Sequence, residues 1–146
     1  MQVGDLMTRQ VVRIHPDEPV SVAARTLTHY NIGALPVCKE DGSICGLVTD
    51  RDLVTRCLAS DRQPEKTPVR EVMTAAVHSV SPDMDAAVAA HLMGRKQVRR
   101  LPVVDGGKLC GIVSLCDLAA TEENTMDAAD ALADMGSNIR MEKGLF

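Results

Sequence analysis

The hydrophobic and polar positions of the chain follow one pattern that occurs twice. Apolar residues at helical spacing are followed by an apolar strand, a glycine-containing turn and a second apolar strand, and this succession returns in the second half. Positions 3–38 match positions 69–104 at twelve identities when the chain is shifted by 66 residues. The pattern predicts an α/β protein built from two copies of a β-α-β-β-α unit.

Two amphipathic helices occupy matching places in the copies. The first is predicted from Val20 to about Tyr30, and the second from the N-cap residue Asp85 to about Gln97. Apolar side chains three and four residues apart predict one buried face on each helix. The residues expected on these faces are Val20, Ala23, Ala24 and Leu27 in the first copy and Val88, Ala89, Leu92 and Met93 in the second.

A β-hairpin is predicted after each of these helices. The two turns contain Asp41-Gly42 and Gly106-Gly107, which are residue pairs typical of tight hairpins. If Asp41-Gly42 is a two-residue turn, Cys38 lies opposite Cys45, within reach of a disulfide. A reducing cytoplasm disfavours that bond, and free cysteines in strands usually act as small buried hydrophobes.

Further elements complete each copy. A short strand is expected over Met7–Ile14 ahead of the first helix, and a helix from Asp50 to about Ser60 follows the hairpin, with an apolar side formed by Leu53, Val54, Cys57 and Leu58. An alanine-rich stretch from Thr125 to Met135 predicts one more helix, N-capped by Thr125 or Asn124 and stopped at Gly136.

The domain boundaries follow from the repeat. Residues 61–68 are polar, contain two prolines and predict a linker, so we expect a first motif at 1–62, a second at 63–121, and a C-terminal helix and tail at 122–146. One copy alone buries too little surface to be stable. We therefore expect the copies to pack through their sheets about a pseudo-two-fold axis.

The turn from the second hairpin strand into the next helix carries the candidate chemistry. It reads Thr49 to Asp52 in the first copy and Ser114 to Asp117 in the second. A hydroxyl at the N-cap and an acid three residues later form a capping box, which is a purely structural feature. The same groups suit a nucleoside phosphate, because a carboxylate accepts both hydroxyls of a ribose and the hydroxyl donates to phosphate. The motif alone leaves both interpretations open.

Composition excludes several functions. The net charge is −4 with scattered basic residues, and Tyr30 and Phe146 are the only aromatics, so neither duplex nor single-stranded nucleic acid is an expected partner. No apolar run approaches the ~18 residues of a membrane span and the start lacks a secretory signal, so we expect a cytoplasmic protein. Phosphate-loop, nucleophile-elbow and HExxH motifs are absent from the sequence, so we do not expect an enzyme.

The repeated motifs resemble a tandem pair of CBS domains, the module named after cystathionine β-synthase. The resemblance covers about residues 3–120. It is carried by Met7-Thr8 and Met73-Thr74, Pro16-Asp17 and Pro82-Asp83, Leu35-Pro36-Val37 and Leu101-Pro102-Val103, and the two helix-start turns. It implies a regulatory module that binds an adenosine-containing ligand such as AMP, ADP, ATP, S-adenosylmethionine or a dinucleotide in clefts between the motifs, often as a homodimer.

The resemblance also implies roles for particular residues. Asp52 and Asp117 would hold the ribose, while Thr49 and Ser114 would contact phosphate. Arg99 and Arg100 occupy a place from which basic residues reach phosphates. The adenine would lie against Val11, Val12, Val77 and His78, beside Ser79, and against Ile32, Gly33, Ala34 and Val98. Because the first copy has Gly33-Ala34 and Asp50 where the second has Arg99-Arg100 and Leu115, we expect unequal sites and favour the one with Ser114 and Asp117.

Two other functions remain open at this point. A ligand-free interaction module would bind an unknown protein target, with the C-terminal helix as the natural contact. A thiol or metal sensor would use Cys38, Cys45, Cys110 or Cys116 with His78 or His91, although these residues lack close ligand spacing.

Overall fold

The computed structural model describes the backbone of residues 1–120 and 125–143, and the side chains of residues 1–120 and 125–135. The N-cap candidate Asn124 therefore lies outside the described residues. The first half contains α1 (Val3–Leu6), α2 (Val20–Tyr30), β1 (Ala34–Cys38), β2 (Ile44–Thr49) and α3 (Asp50–Asp52). The chain continues as a π turn (Leu53–Cys57) and two 3₁₀ turns (Leu58–Ser60 and Val69–Glu71). The second half contains α4 (Ala86–Lys96), β3 (Arg100–Asp105), β4 (Lys108–Ser114), α5 (Leu115–Ala119) and α6 (Thr125–Lys143).

The chain forms two compact units, which we name after their hairpins. The β1–β2 unit consists of Val11–Val77 and Gly106–Leu109, and the β3–β4 unit consists of Met1–Gln10, His78–Asp105 and the residues from Cys110 on. The first ten residues thus belong with the second hairpin, and the segment that leads into the second sequence copy belongs with the first hairpin. The mixed α/β fold with two small sheets is confirmed.

The β1–β2 unit is built around an antiparallel hairpin extended by single residue pairs. Ala34 pairs with Thr49 and Val37 with Gly46. Ile14 forms a parallel bridge to Val37 beside β1. The core beneath the sheet contains Ile14, Val20, Ala23, Leu27, Leu35, Val37, Val48, Leu53, Cys57, Val69 and Val72. Burial of these side chains holds α2 and the π turn against the sheet.

The β3–β4 unit repeats this arrangement and adds α6. Val80 forms a parallel bridge to Val103, and Thr8 forms an antiparallel bridge to Ile112. Asp85 caps α4 by accepting the Ala87 amide N–H at 2.8 Å. Its core contains Val3, Val80, Ala86, Ala89, Ala90, Met93, Leu101, Val103, Val113, Leu115, Leu118, Ala128, Ala131 and Met135. The last three side chains come from α6, so this helix is part of the core.

The repeated Met-Thr pair has a structural role in both units. Met73 lies over Gly46, and the Thr74 and Leu47 amides each donate to the other's carbonyl at 2.8 and 3.0 Å. In the other unit, Met7 lies over Gly111 and Thr8 exchanges two such bonds with Ile112. A glycine is needed at both places because the thioether and a carbonyl occupy the space of a side chain. The first copy's Met-Thr pair therefore packs on the second copy's strand, and the reverse.

Two sequence predictions about strands were wrong. Met7–Ile14 is not a continuous strand, because only Thr8 and Ile14 pair with a neighbour. Cys38 pairs with Ile44 rather than with Cys45, and both cysteines are free. Gly42 has a φ of 87° and closes a longer turn in which the Lys39 amide donates to the Ser43 carbonyl at 2.9 Å. A register shift beyond Val37 leaves Cys45 out of the residue pairing of the two strands, and its thiol donates instead to the Val37 carbonyl at 3.3 Å.

Three predicted helix faces also differ from the structure. Ala24, Val54, Leu58 and Val88 were expected inside and are exposed. On α4 the buried stripe lies instead along Ala86, Ala89, Ala90, Met93 and Gly94, because α6 covers the side that carries Ala90 and Gly94. The predicted stop at Gly136 was wrong, since α6 continues to Lys143. One glycine costs a helix only about 1 kcal/mol relative to alanine.

Candidate functional site

Both helix-start turns form the predicted capping boxes, and the first of them is enclosed. Thr49 Oγ1 accepts the Asp52 amide N–H at 3.1 Å, and Asp52 Oδ2 accepts the Thr49 amide N–H at 3.0 Å. The Asp52 residue is 9% exposed. Its other oxygen, Oδ1, lies 3.7 Å from Arg56 Nε. Both carboxylate oxygens of Asp52 therefore face donors within the protein.

The second turn has the same backbone geometry and a freer carboxylate. Ser114 Oγ accepts the Asp117 amide N–H at 3.1 Å, and Asp117 Oδ2 accepts the Ser114 amide N–H at 2.8 Å. Asp117 is half-buried. Among the described residues, Oδ1 of Asp117 has no hydrogen-bond partner. This oxygen is available to accept a hydroxyl from a ligand.

The segments before β1 and β3 lie directly against these turns. The Gly33 carbonyl accepts the Asp50 amide N–H at 3.1 Å, and the Arg99 carbonyl accepts the Leu115 amide N–H at 2.9 Å. Because Gly33 has no side chain, the nearest atoms to a Cβ built there are the carboxylate oxygens of Asp50, at 3.9 and 4.0 Å. The first turn thus has an exposed carboxylate, Asp50, where the second has Leu115, and the segment before it has Gly33 where the second has an exposed arginine, Arg99.

The sequence-predicted site residues separate by unit. The β1–β2 unit contains Val11, Val12, Ile32, Gly33, Ala34, Thr49, Asp52 and Val77, and the β3–β4 unit contains His78, Ser79, Val98, Arg99, Arg100, Ser114 and Asp117. The sheets order these residues within each unit. The Ile14–Val37 bridge is parallel, so Val11 and Val12 run toward the end of the sheet where Ala34 pairs with Thr49. Val12 also packs against the core.

The same direction holds in the β3–β4 unit. Its parallel Val80–Val103 bridge carries His78 and Ser79 toward the start of β3 at Arg100. His78, Ser79, Arg99 and Arg100 are exposed, and Val98 is half-buried. Val77 belongs with the other unit. In each unit, the predicted residues ahead of the helix therefore lie toward the end of the sheet that carries the capping turn.

Sequence reasoning missed Arg56. Besides facing Asp52, its Nη1 donates to the Val72 carbonyl at 3.1 Å and to Thr74 Oγ1 at 3.3 Å. The spacing of four residues after an acid was the available signal, because an Asp and an Arg so placed on a helix are neighbours. The contacts with Val72 and Thr74 join residues far apart in sequence and gave no such signal.

A shallow, open depression on the β1–β2 unit is lined by Asp50, Arg51, Val54 and Thr55. It adjoins the first turn on its solvent side, where Asp50 Oδ1 accepts the Arg51 amide N–H at 2.8 Å. Two charged side chains, one apolar side chain and one hydroxyl form its wall. The depression adds no enclosed volume to the first turn.

All five cysteines are free thiols. Cys38 and Cys57 are buried, Cys45 and Cys110 are half-buried, and Cys116 is exposed beside Asp117. Burial raises the pKa of the Cys38 and Cys45 thiols. Within residues 1–120 and the described part of α6, no three His, Cys, Asp or Glu side chains are grouped so as to hold a metal ion. Across the same residues, none of the helices combines the length and apolar character needed to cross a bilayer.

Comparison with known proteins agrees with the repeated architecture. The family model described as CBS domain matches residues 3–59 and 69–124. The chain is 41% identical to the CBS domain-containing protein YhcV of Bacillus subtilis (strain 168), over 91% of this chain and 94% of that protein.

Solved structures share the fold, and two of them show its bound groups. One is the crystal structure of Hypoxic Response Protein I with two coordinated zinc ions, with a TM-score of 0.77, 31% identity, and coverage of 82% of this chain and 98% of the other. Another is the CBS domain pair of protein MJ0100 in complex with 5′-methylthioadenosine and S-adenosyl-L-methionine, with a TM-score of 0.73, 27% identity, and coverage of 82% and 94%. The resemblance seen in the sequence is confirmed. The chain belongs to the CBS domain family and carries two of its domains in tandem.

Proposed function

We propose that this CBS pair is a regulatory module that binds an adenine nucleotide at the Ser114–Asp117 turn. The observation that carries the proposal is the half-buried Asp117 carboxylate, which has one oxygen fixed by the Ser114 amide and the other without a partner among the described residues. A carboxylate held in this way is oriented to accept hydroxyl groups. The diol of a ribose supplies two such donors.

The surrounding charges favour a phosphorylated ligand at this turn. Arg99 and Arg100 are exposed, and the Arg99 carbonyl is bonded to the first amide of α5. Guanidinium groups recognise phosphate by charge and by paired hydrogen bonds. The corresponding turn in the other unit carries Asp50 instead, whose charge repels phosphate. AMP, ADP and ATP therefore fit the Asp117 turn better than the Asp52 turn.

The remaining roles follow from chemistry at the same end of the sheet. Ser114 Oγ accepts the Asp117 amide and keeps its own proton to donate to phosphate. Val98 offers an apolar surface for a base, and the adenosine compounds in the MJ0100 structure support an adenine ligand in a protein of this family. S-adenosylmethionine or a dinucleotide would use the same diol contact. No residue is assigned a catalytic role, and we propose that the ligand is bound and not turned over.

A thermal-shift panel tests this function. The chain contains no Trp and one Tyr, so unfolding is followed by an added dye or by circular dichroism. AMP, ADP, ATP, S-adenosylmethionine and NAD are each added to wild type and to Asp117→Asn. A ligand at a hundred times its dissociation constant adds about 2.7 kcal/mol to stability, which raises the melting temperature by several degrees at this size.

Asparagine at position 117 is a sharper probe than alanine, because its side-chain oxygen still accepts the Ser114 amide while the charge is removed. We expect one or more ligands to raise the melting temperature of wild type and to have little effect on Asp117→Asn. Asp105→Asn is the matched control. Asp105 is exposed at the end of β3, and its substitution removes the same charge from the same unit. A shift that survives in Asp117→Asn contradicts the assignment of this carboxylate.

Signalling in this proposal passes through a homodimer or an unknown protein target. Val54 and Leu58 support a contact between chains, since they are 56% and 57% exposed and one helical turn apart. The five cysteines, none of them in a disulfide, support a cytoplasmic location. Sedimentation of the purified protein with and without ATP measures the oligomeric state.

Zinc binding is a second candidate function, favoured by the zinc ions in the structure of Hypoxic Response Protein I. Metal analysis of protein purified without chelators tests it. Stoichiometric zinc together with an unchanged melting temperature in the nucleotide panel would favour this alternative, and metal-free protein that responds to a nucleotide would exclude it.

A further inference from the structure

The two capping turns differ in what occupies the second carboxylate oxygen. In the β1–β2 unit, Arg56 lies with Nε at 3.7 Å from Asp52 Oδ1, and the Asp52 side chain is 13% exposed. In the β3–β4 unit, Oδ1 of Asp117 has no partner within the described part of the chain. The residue four positions after Asp117 is Thr121, which carries no charge. The two copies therefore differ in sequence at this position, which is Arg56 in the first and Thr121 in the second.

Arg56 is held by more than this ion pair. Its Nη1 donates to the Val72 carbonyl and to Thr74 Oγ1, which belong to the segment that pairs with β2. The side chain thus joins the first capping turn to the segment at residues 72–74. An exposed ion pair alone contributes little to stability, and the Arg56 side chain is 47% exposed. The additional hydrogen bonds restrict the guanidinium to a place where it faces the carboxylate.

We infer that Arg56 is a specificity-determining residue that makes the two sites unequal. It occupies the second carboxylate oxygen of Asp52, so that this carboxylate serves the fold and does not bind a ligand. This inference rests on the proposed function. A ligand at the first turn would have to displace the guanidinium from a carboxylate that is largely buried, and then remain beside Asp50. A ligand at the second turn meets an Asp117 oxygen that has no partner among the described residues, and two arginines. The chain accordingly binds one nucleotide per chain, at Asp117.

Calorimetric titration with AMP and with ATP tests the inequality in wild type, Asp52→Asn and Asp117→Asn. We expect one bound equivalent in wild type, an affinity within about twofold of wild type in Asp52→Asn, and a loss of about tenfold or more in Asp117→Asn, because hydrogen bonds to a charged group are lost. An equal loss in both variants, or two equivalents in wild type, would overturn the inference.

A double-mutant cycle, measured as melting temperature, tests the interaction between Asp52 and Arg56 without any ligand. Asp52→Asn, Arg56→Gln and the double variant are compared, because groups that act together give non-additive effects. We expect both single variants to melt below wild type and the double variant to melt no lower than the less stable single one. If the two falls in melting temperature simply add in the double variant, Asp52 and Arg56 do not act together and the inference is overturned. If wild type binds neither AMP nor ATP, the proposed function fails, and the cycle alone decides the role of Arg56.

Discussion

Replacement of Gly46 by alanine tests the exchanged packing of the Met-Thr segments. A Cβ at this position would lie 2.9 Å from the Thr74 carbonyl oxygen and would also overlap the Met73 thioether. The thioether is flexible and can move. The carbonyl cannot, because it accepts the Leu47 amide at 3.0 Å and its residue returns a bond at 2.8 Å. The methyl group must therefore displace a strand-like segment.

The expected loss of stability in Gly46→Ala is the difference between two opposing contributions. Overpacking of this kind costs about 1–3 kcal/mol, while replacing glycine reduces the freedom of the unfolded chain and contributes about 0.4–1 kcal/mol to stability. The φ of Gly46 is not positive, so backbone strain adds nothing. With the middle of each range the net loss is about 1.3 kcal/mol, which corresponds to a fall of about 4 °C in melting temperature for a chain of this length.

Gly33→Ala is the matched control for this measurement. Its φ is also not positive, and the nearest atoms to an added Cβ lie at 3.9 and 4.0 Å, which is ordinary contact. Thermal unfolding followed by circular dichroism should give an unchanged or slightly raised melting temperature for Gly33→Ala and a lowered one for Gly46→Ala. The reasoning is refuted if the two variants behave alike.

Two further predictions concern α6 and the thiols. Gly94→Val should detach α6, because a Cβ at Gly94 would lie 3.0 Å from Ala131 Cα and 3.2 Å from an Asp134 carboxylate oxygen; faster proteolysis within α6 than in wild type checks this, and unchanged proteolysis would contradict it. Cys116 should react with a thiol reagent before Cys38 and Cys57, because Cys116 is exposed whereas the other two are buried, and burial also raises the pKa of the Cys38 thiol. Mass spectrometry of partly labelled protein gives the order, and labelling of Cys38 ahead of Cys116 would contradict the structure.

The parts of the fold that depend on local pattern could be predicted from the sequence. α2 was predicted with its observed ends, and both capping boxes follow from a hydroxyl and an acid at fixed spacing. The hairpin register was missed because Gly42 permits a longer turn and the strand is irregular beyond Val37. Local turn chemistry does not determine such a shift.

Contacts between distant segments account for the other differences. Ala90 and Gly94 are buried by α6, whereas their counterparts Ala24 and Thr28 are exposed on α2. A helical periodicity within α4 cannot reveal a partner that begins at Thr125. The network around Arg56 was missed for the same reason, because it depends on the pairing of Thr74 with Leu47 of β2. The difference between Gly33 and Arg99 is visible in the repeat, and from it the sequence already predicts two unequal sites.

The most direct test of the central claim is a calorimetric titration of ATP, and separately of AMP, into wild-type protein and into Asp117→Asn. The proposed site predicts one equivalent bound per chain in wild type and an affinity lower by about tenfold or more in the variant. Binding that is unchanged in Asp117→Asn, or no binding to wild type by either nucleotide, would contradict the claim and leave the Ser114–Asp117 turn as a helix cap.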